Sequence, residues 1–221
     1  MKRKVIAELL DDDLGTPKEV ADSLADLRRI NQWFGGLATT TDLVRRVTRI
    51  AALNRVSLLE IGAGLGDVPL GARRALARDG IELQVTLLDR LWTHLPGNGA
   101  PTVSSDALRL PFCEGTFDII SCSLLAHHFE PNELRLLVEE ALRVSRRAVL
   151  INDLIRSRVH LALTYAGLPL FRSRITWHDA PASVRAAYTR EEVQSLLAPI
   201  RAKRLEITRH YLYRMGILVW K

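Results

Sequence analysis

Leu58-Leu59-Glu60-Ile61-Gly62-Ala63-Gly64-Leu65-Gly66 is the stretch whose reading decides the fold. A short apolar run, the length of a buried strand, leads into glycines at alternate positions. A helical pattern then runs from Pro69 to Asp79. Without a Cβ, glycine permits a tight turn and lets the backbone come close to a ligand. A strand that feeds a glycine loop and then a helix places the loop outside the strand's carboxyl end. That is where doubly wound sheets bind their ligands.

The chain after this loop keeps the same rhythm. Leu83 to Leu88 reads as a strand, Pro96 to Pro101 as a Pro/Gly-rich loop and Phe117 to Ser123 as a strand. Glu133 to Val144 comes next as a helix, and Ala148 to Ile151 as a strand. Short apolar runs alternating with helical patterns predict βαβ units and a mostly parallel sheet. Thr189 caps a helix over Arg190 to Leu197, with Glu192 at the capping-box position. Ala202 to Thr208 and Tyr211 to Trp220 read as two strands, close enough in sequence to pair antiparallel.

Upstream, Thr16-Pro17 opens a helix with Val20, Leu24, Leu27 and Ile30 at helical spacing, ending at Gly35-Gly36. A second helix is expected from Thr40 or Thr41 to about Leu53. Residues 1–15 read as a short, partly ordered lead-in, and 154–188 as an insertion too irregular for one helix. The expected organisation is a helical lid over 1–55, an α/β ligand-binding domain over 56–221, and a substrate cap at 154–188 within it.

Composition narrows the function classes. With 221 residues, 48% hydrophobic and 25% charged, the chain fits a globular domain rather than a disordered or fibrous one. No apolar window is long enough to span a membrane. The opening Met1-Lys2-Arg3-Lys4 starts like a signal peptide, but Glu8 and Asp11-Asp12-Asp13 break the apolar run, so a cytoplasmic location is expected. The 2 cysteines, Cys113 and Cys122, cannot build a disulfide framework and are expected as buried free thiols. The net charge of +6 raises nucleic acid as a partner, but the basic residues are dispersed and read as a solvated face.

The glycine loop departs from the dinucleotide fingerprint G-x-G-x-x-G, because Asp67 stands where its last glycine would be. Glu60, two residues before the first glycine, is unfavourable beside a pyrophosphate and favourable beside a cationic ammonium and sulfonium. The pattern Glu60-x-Gly62-x-Gly64-x-Gly66 resembles the first motif of class I S-adenosylmethionine-dependent methyltransferases. Leu87-Leu88-Asp89 ends the next strand, where a carboxylate can accept hydrogen bonds from both hydroxyls of a diol. Ser105-Asp106-Ala107-Leu108 resembles the family's adenine-binding motif, and Phe117 to Ser123 its fourth strand, with Asp118 a conformational residue at its start.

The resemblance runs from about residue 56 to the C-terminus. It implies a three-layer α/β fold with a doubly wound, mostly parallel seven-stranded sheet whose last strand is antiparallel. It also implies S-adenosylmethionine as methyl donor, with Glu60, Gly62, Ala63, Gly64, Gly66, Asp89, Arg90, Asp106, Ala107 and Ser123 around it. The small-molecule enzymes of quinone and polyketide biosynthesis are the members it is most similar to.

The acceptor side is read from the residues beyond strand four. His127 and His128 would lie near the transferred methyl group, and one of them can serve as a general base toward a phenolic acceptor. Asn152-Asp153 resembles, in reversed order, the pair used by metal-dependent catechol O-methyltransferases. Strand four ends in Ser123 rather than an acid, so no Mg²⁺ requirement is expected. Ser123-Leu124-Leu125-Ala126 lacks the Asn/Asp-Pro-Pro-Tyr/Phe signature of enzymes that methylate nucleobases or glutamine. Trp33, Arg156, Tyr165, Trp177 and His178 are the candidate substrate contacts, from the lid and the cap. Arg28, Asn31, Phe34 and Phe171 are in the same two segments.

The leading expectation is methyl transfer to oxygen, or to carbon, of a small aromatic, phenolic or quinone-like acceptor, by in-line displacement without a metal, in a monomer or homodimer. An RNA methyltransferase or RNA-binding protein using the basic surface is the alternative. A degenerate, non-catalytic fold and a dinucleotide oxidoreductase are the remaining readings.

Overall fold

The structure, a computed structural model, describes residues 1–97 and 99–221. The loop expected around 96–101 is therefore described except at residue 98, which lies outside the described residues. Its chain order is α1 (Pro17–Trp33), α2 (Gly36–Ile50), β1 (Arg55–Ile61), α3 (Asp67–Ala77), β2 (Glu82–Asp89), β3 (Thr102–Ser104), β4 (Phe117–Ser123) and α4 (Pro131–Val144). After these come β5 (Ser145–Leu154), α5 (Arg158–Gly167), α6 (Arg174–Ala186), α7 (Arg190–Leu197), β6 (Arg204–His210) and β7 (Arg214–Trp220).

The strands form one seven-stranded sheet in the order β3-β2-β1-β4-β5-β7-β6. β1 pairs in parallel with both β2 and β4, placing Ile61 beside Leu88 and Cys122. β7 runs antiparallel to β5 and to β6. The order reverses between β1 and β4, which makes the carboxyl ends of these two strands the switch-point crevice of the sheet. The central strands are buried on both faces, which explains their near-continuous apolar runs.

Two cores sandwich the sheet. Leu43, Val44 and Val47 of α2 pack with Ala72 and Leu76 of α3 against Leu58, Val85 and Leu218. On the other face Leu134, Leu137 and Val138 of α4 and Val193 and Leu197 of α7 pack against Leu59, Ile120 and Ile217. This amends the expected division at residue 55. α2 is a layer of the sandwich, because its apolar stripe has no other place to be buried. Only the lead-in and α1 extend beyond it, α1 packing on α6.

Most elements lie where the periodicity puts them. Thr16 caps α1 in a capping box with Glu19, and Thr189 does the same for α7 with Glu192. The insertion resolves into α5 and α6, capped by Ser157 and Ser173. β3 was not expected, since three residues at a sheet edge carry no readable period. Asp118 has the conformational role expected of it: its Oδ2 accepts from the Ser57 backbone N–H (3.0 Å) and hydroxyl (2.8 Å), tying β4 to β1. Of the thiols, Cys122 is buried as expected, whereas Cys113 is exposed, because it lies in the turn before β4 rather than in a strand. Among the described residues no helix is long and apolar enough to cross a membrane.

Candidate active site

The carboxyl ends of β1, β2, β4 and β5 open into one cavity of about 940 Å³. Its floor is the glycine loop. Gly62, Gly64 and Gly66 all have positive φ (65°, 49° and 71°), a region costly for residues with a Cβ. A Cβ on Gly62 would meet Leu125 at 2.9 Å, and one on Gly66 would meet Leu87 at 2.6 Å. At Gly64 there is nothing within 4 Å, so this glycine presents bare backbone to open space. Gly62, Ala63 and Gly64 line the cavity, whereas Gly66, expected among the ligand contacts, does not. It closes the turn: its N–H donates to the Ala63 carbonyl at 2.8 Å, and its missing side chain leaves room for Leu87.

Asp89, at the end of β2, supports the same loop. Its Oδ2 accepts from the Gly64 N–H (2.8 Å) and its Oδ1 from the Leu91 N–H (3.0 Å). A carboxylate has lone pairs left after two such bonds, so Asp89 is oriented and still able to accept from a diol. Asp106 accepts from the Leu108 N–H at 2.9 Å, holding the turn that brings Ser105, Asp106 and Ala107 to the cavity wall. Glu60 is 1% exposed and lines the cavity, and its Oε2 has no hydrogen-bond partner. Burial pushes its carboxyl up to about 7, against the lowering influence of the Ser121 and Ser123 hydroxyls. Ser123 also lines the cavity, its hydroxyl 3.3 Å from that of Thr40.

His127 and His128 come after β4 in a short 3₁₀ turn and both line the cavity. Leu124, between β4 and that turn, has φ of 56°, a strained conformation for a leucine; it re-aims the chain out of the strand. Asp153 at the end of β5 accepts from the His127 backbone N–H (3.0 Å) and from its ring Nδ1 (2.7 Å). His127 is 2% exposed. Burial disfavours its charge, but the carboxylates of Asp153 and Glu8 outweigh this and raise its pKa to about 10. His128 has its Nδ1 2.9 Å from Asp11 Oδ2, and the two imidazole rings lie 4.3 Å apart between centroids, tilted by 33°.

Glu8 and Asp11 come from the lead-in, to which the sequence pattern assigns no role. Arg3 fastens it across the site, donating to the carbonyls of Ala186 (2.8 Å), Phe129 (2.8 Å) and His127 (3.1 Å). The backbone N–H groups of Leu9 and Leu10 donate to Asp179 on α6 (2.8 and 3.0 Å). Arg90, expected beside the cofactor, lines the cavity and also donates to the Asp11 carbonyl at 2.9 Å. Polar anchoring of this kind leaves no apolar period in the sequence. The only signal is a set of acids, Glu8 and Asp11 to Asp13, breaking an apolar run.

The rest of the cavity is mostly apolar. Leu24, Leu27, Ile30 and Phe34 line it from α1 and its end, Leu163, Leu170 and Phe171 from the α5 region, with Arg28, Asn31, His160 and Thr176 as polar groups among them. The predicted substrate contacts are elsewhere. Trp33 (54% exposed), Tyr165 (48%) and Trp177 (49%) face outward, as does His178, paired with its neighbour Asp179 at 2.8 Å. Arg156 is buried, but it is tied to Met1 and Ala187 carbonyls (3.0 and 2.6 Å) and to Glu192. The residue types were suitable but the helix phase was not. On α5, Leu163 and Ala166 border the cavity at its exposed rim, and Tyr165 between them does not reach it. Several of the dispersed basic residues are paired: Arg45 with Asp79 (2.6 Å), Arg143 with Glu140 (2.7 Å) and Arg146 with Asp118 (3.6 Å).

Residues 59–151 match the family model described as a methyltransferase domain. Over those residues the chain resembles a methyltransferase domain. The matched segment holds the glycine loop, Asp89, Asp106 and both histidines. Solved structures share the fold at low identity. The plantazolicin methyltransferase BpumL in complex with S-adenosylhomocysteine is 16% identical, with a TM-score of 0.73 over 97% of this chain and 94% of that one. A methyltransferase from Aquifex aeolicus is 15% identical, with a TM-score of 0.54 over 80% and 88%. The magnesium protoporphyrin IX methyltransferase from Synechocystis PCC 6803 with S-adenosylmethionine bound is 13% identical, with a TM-score of 0.52 over 84% and 79%. None of the curated protein sequences matches the chain.

Proposed function

We propose that this chain is a methyltransferase that alkylates an oxygen, or a carbon, of a small, planar, largely apolar acceptor of phenolic or quinol character. The observation that carries the reading is the shape of the cavity. It joins the glycine loop to the apolar compartment, and His127 and His128 stand on its wall.

The residues present suit the methyl donor. The unpartnered, buried Oε2 of Glu60 suits an ammonium group, and its raised pKa falls once a cation compensates for burial. The bare backbone at Gly64 leaves room for close approach, and Asp89 and Asp106 offer carboxylates for ribose and adenine. The bound donor supplies an electrophilic methyl group. What the chain contributes is alignment: Phe171 and Phe34 offer apolar faces to a flat ring, with Leu163 and Leu170 at the exposed rim. His128 and the carboxylates of Glu8 and Asp11 are placed to receive the acceptor's proton, while His127 stays charged beside Asp153. In this reading the lead-in and α1 act as the lid, and α5 and α6 as the substrate cap.

Calorimetric titration with S-adenosylhomocysteine, with NAD as control ligand, tests the donor half. Micromolar binding that NAD does not reproduce and Asp89→Ala loses is the expected result. A panel of phenols, quinols and simple amines with labelled donor then tests the acceptor half. Methylation confined to amines would overturn the acceptor class, and no donor binding would overturn the whole reading.

A further inference from the structure

The histidine pair has a second feature that methyl transfer does not require. Each ring is anchored through Nδ1 to a carboxylate, His127 to Asp153 at 2.7 Å and His128 to Asp11 at 2.9 Å. Both Nε2 atoms are thereby turned toward one further carboxylate. His127 Nε2 is 3.4 Å from Glu8 Oε1, and His128 Nε2 is 3.9 Å from Glu8 Oε2. Independently, the buried His127 Nε2 has no hydrogen-bond partner, since the Glu8 contact lacks hydrogen-bond geometry.

We propose that Glu8, His127 and His128 form a binding site for a first-row divalent metal ion of the zinc or ferrous class, with an open position facing the acceptor cavity. The ligand atoms of these residues lie within 4.8 Å of one another. Tetrahedral ligands about 2.1 Å from an ion stand about 3.4 Å apart. The His127–Glu8 separation of 3.4 Å already meets that figure. The His128 approach of 3.9 Å is to the other carboxylate oxygen, so closing the set on one oxygen needs a turn of the Glu8 carboxylate and a contraction of the present spread of up to 4.8 Å. Ser183 orients Glu8 by donating its hydroxyl to Oε1 at 2.6 Å. Carboxylates on the far nitrogens of metal-bound histidines fix the tautomer and orient the ring, which is the placement of Asp153 and Asp11.

The donor set also selects the ion. Two imidazoles and one carboxylate suit zinc, ferrous iron or cobalt, whereas Mg²⁺ takes oxygen ligands and keeps its waters. The expectation of no Mg²⁺ requirement therefore stands beside this site, while the broader expectation of a metal-free centre does not. The site is hard to see in the sequence because one ligand, Glu8, is in the lead-in, more than a hundred residues from the histidines. Three protein ligands around an ion leave a position for an exogenous oxygen, and all three line the cavity. The role this gives the ion, polarising a hydroxyl acceptor, rests on the function proposed above; the binding of the ion does not.

The test is direct. The full chain, stripped with a chelator, is titrated with Zn²⁺ and separately with Co²⁺, followed by calorimetry, elemental analysis and the visible spectrum of bound Co²⁺. One equivalent per chain is expected, with the intense visible bands of four- or five-coordinate cobalt. Glu8→Ala and His128→Ala should each weaken binding at least tenfold while S-adenosylhomocysteine affinity stays within about threefold. Glu8 is outside the sheet core, so its variant keeps the test clear of misfolding. Substoichiometric metal, or stoichiometric metal unaffected by Glu8→Ala, overturns the site. A stripped protein that binds S-adenosylhomocysteine but no ion sinks this proposal alone. One that binds the ion but no S-adenosylhomocysteine sinks the methyl-transfer reading and leaves the ion site in place.

Discussion

Asp153 holds His127 at two points, its Oδ2 on the backbone N–H at 3.0 Å and its Oδ1 on the ring Nδ1 at 2.7 Å. The pair is buried, so the two charges depend on each other. His127 holds the Asp153 carboxyl below its usual range in spite of burial, and Asp153 raises His127. Removing one member of a buried pair strands the other. Asp153→Ala should therefore destabilise the fold by about 3 kcal/mol, read from urea unfolding. Asp153→Asn keeps an acceptor for the backbone N–H and should lose less. An unfolding midpoint that does not move in Asp153→Ala would show that the pair is not coupled.

In the proposed reading, Glu60 makes donor binding depend on pH. Its carboxyl, raised to about 7, is protonated in the free protein below that value. A bound ammonium favours the carboxylate, so binding below pH 7 expels a proton. Affinity for S-adenosylhomocysteine should rise as pH increases toward about 7 and level off above it, with Glu60→Gln flattening the curve. The folding linkage has the opposite slope. Between the ordinary 4.5 and about 7 the folded state keeps a proton that the unfolded state has lost. This group's contribution to apoprotein stability is thus complete below 4.5 and falls as pH rises through that window. Calorimetry in buffers of different ionisation enthalpy measures the proton directly; no proton release at pH 6 would refute the assignment.

The glycine-loop wall of the cavity was legible in the sequence because each part is local. Glycines at 62 and 64, the acid at 60 and the strand-end Asp89 declare their geometry within one strand–turn–helix unit and the strand after it. The acceptor half was not, for two physical reasons. The facing side chains of α5 and α6 depend on helix phase, and Pro181 within α6 together with the break at 168–173 hid that phase. Glu8 and Asp11 reach the site through long-range polar bonds, which produce no periodicity. Asp153 stood out in the sequence, but as part of a motif that it does not complete, rather than as the partner of His127.

The glycines should divide by role. Gly64→Ala puts a methyl group into open space at the cavity wall, at a φ of 49°. It should cost about 1 kcal/mol of stability and weaken S-adenosylhomocysteine binding about tenfold or more. Gly66→Ala meets Leu87 at 2.6 Å, at a φ of 71°, away from the cavity. There the penalty should fall on the fold, about 2–4 kcal/mol by thermal unfolding, with affinity at low temperature nearly kept. Equal effects of both substitutions on binding would contradict the separation of wall from turn.

The lead-in is predicted to be needed for turnover and dispensable for folding. None of its residues belongs to either apolar core, and it is held by Arg3, by Asp179 and by the pairing of Asp13 with His94 at 2.6 Å. Deleting residues 1–13 removes Glu8 and Asp11 from the histidines and opens the cavity to water. S-adenosylhomocysteine affinity should change by less than about threefold, because Glu60, Gly64 and Asp89 are untouched. Methyl transfer to an acceptor found in the phenol and quinol panel should fall about 100-fold, the scale of losing alignment at the reacting atom. Arg3→Ala should reproduce part of that loss by loosening the segment without shortening it. Full turnover in the truncated protein would mean that the lead-in merely rests on the site. Loss of cofactor binding along with turnover would mean that it supports the sheet end, and circular dichroism on the same sample separates that case from unfolding.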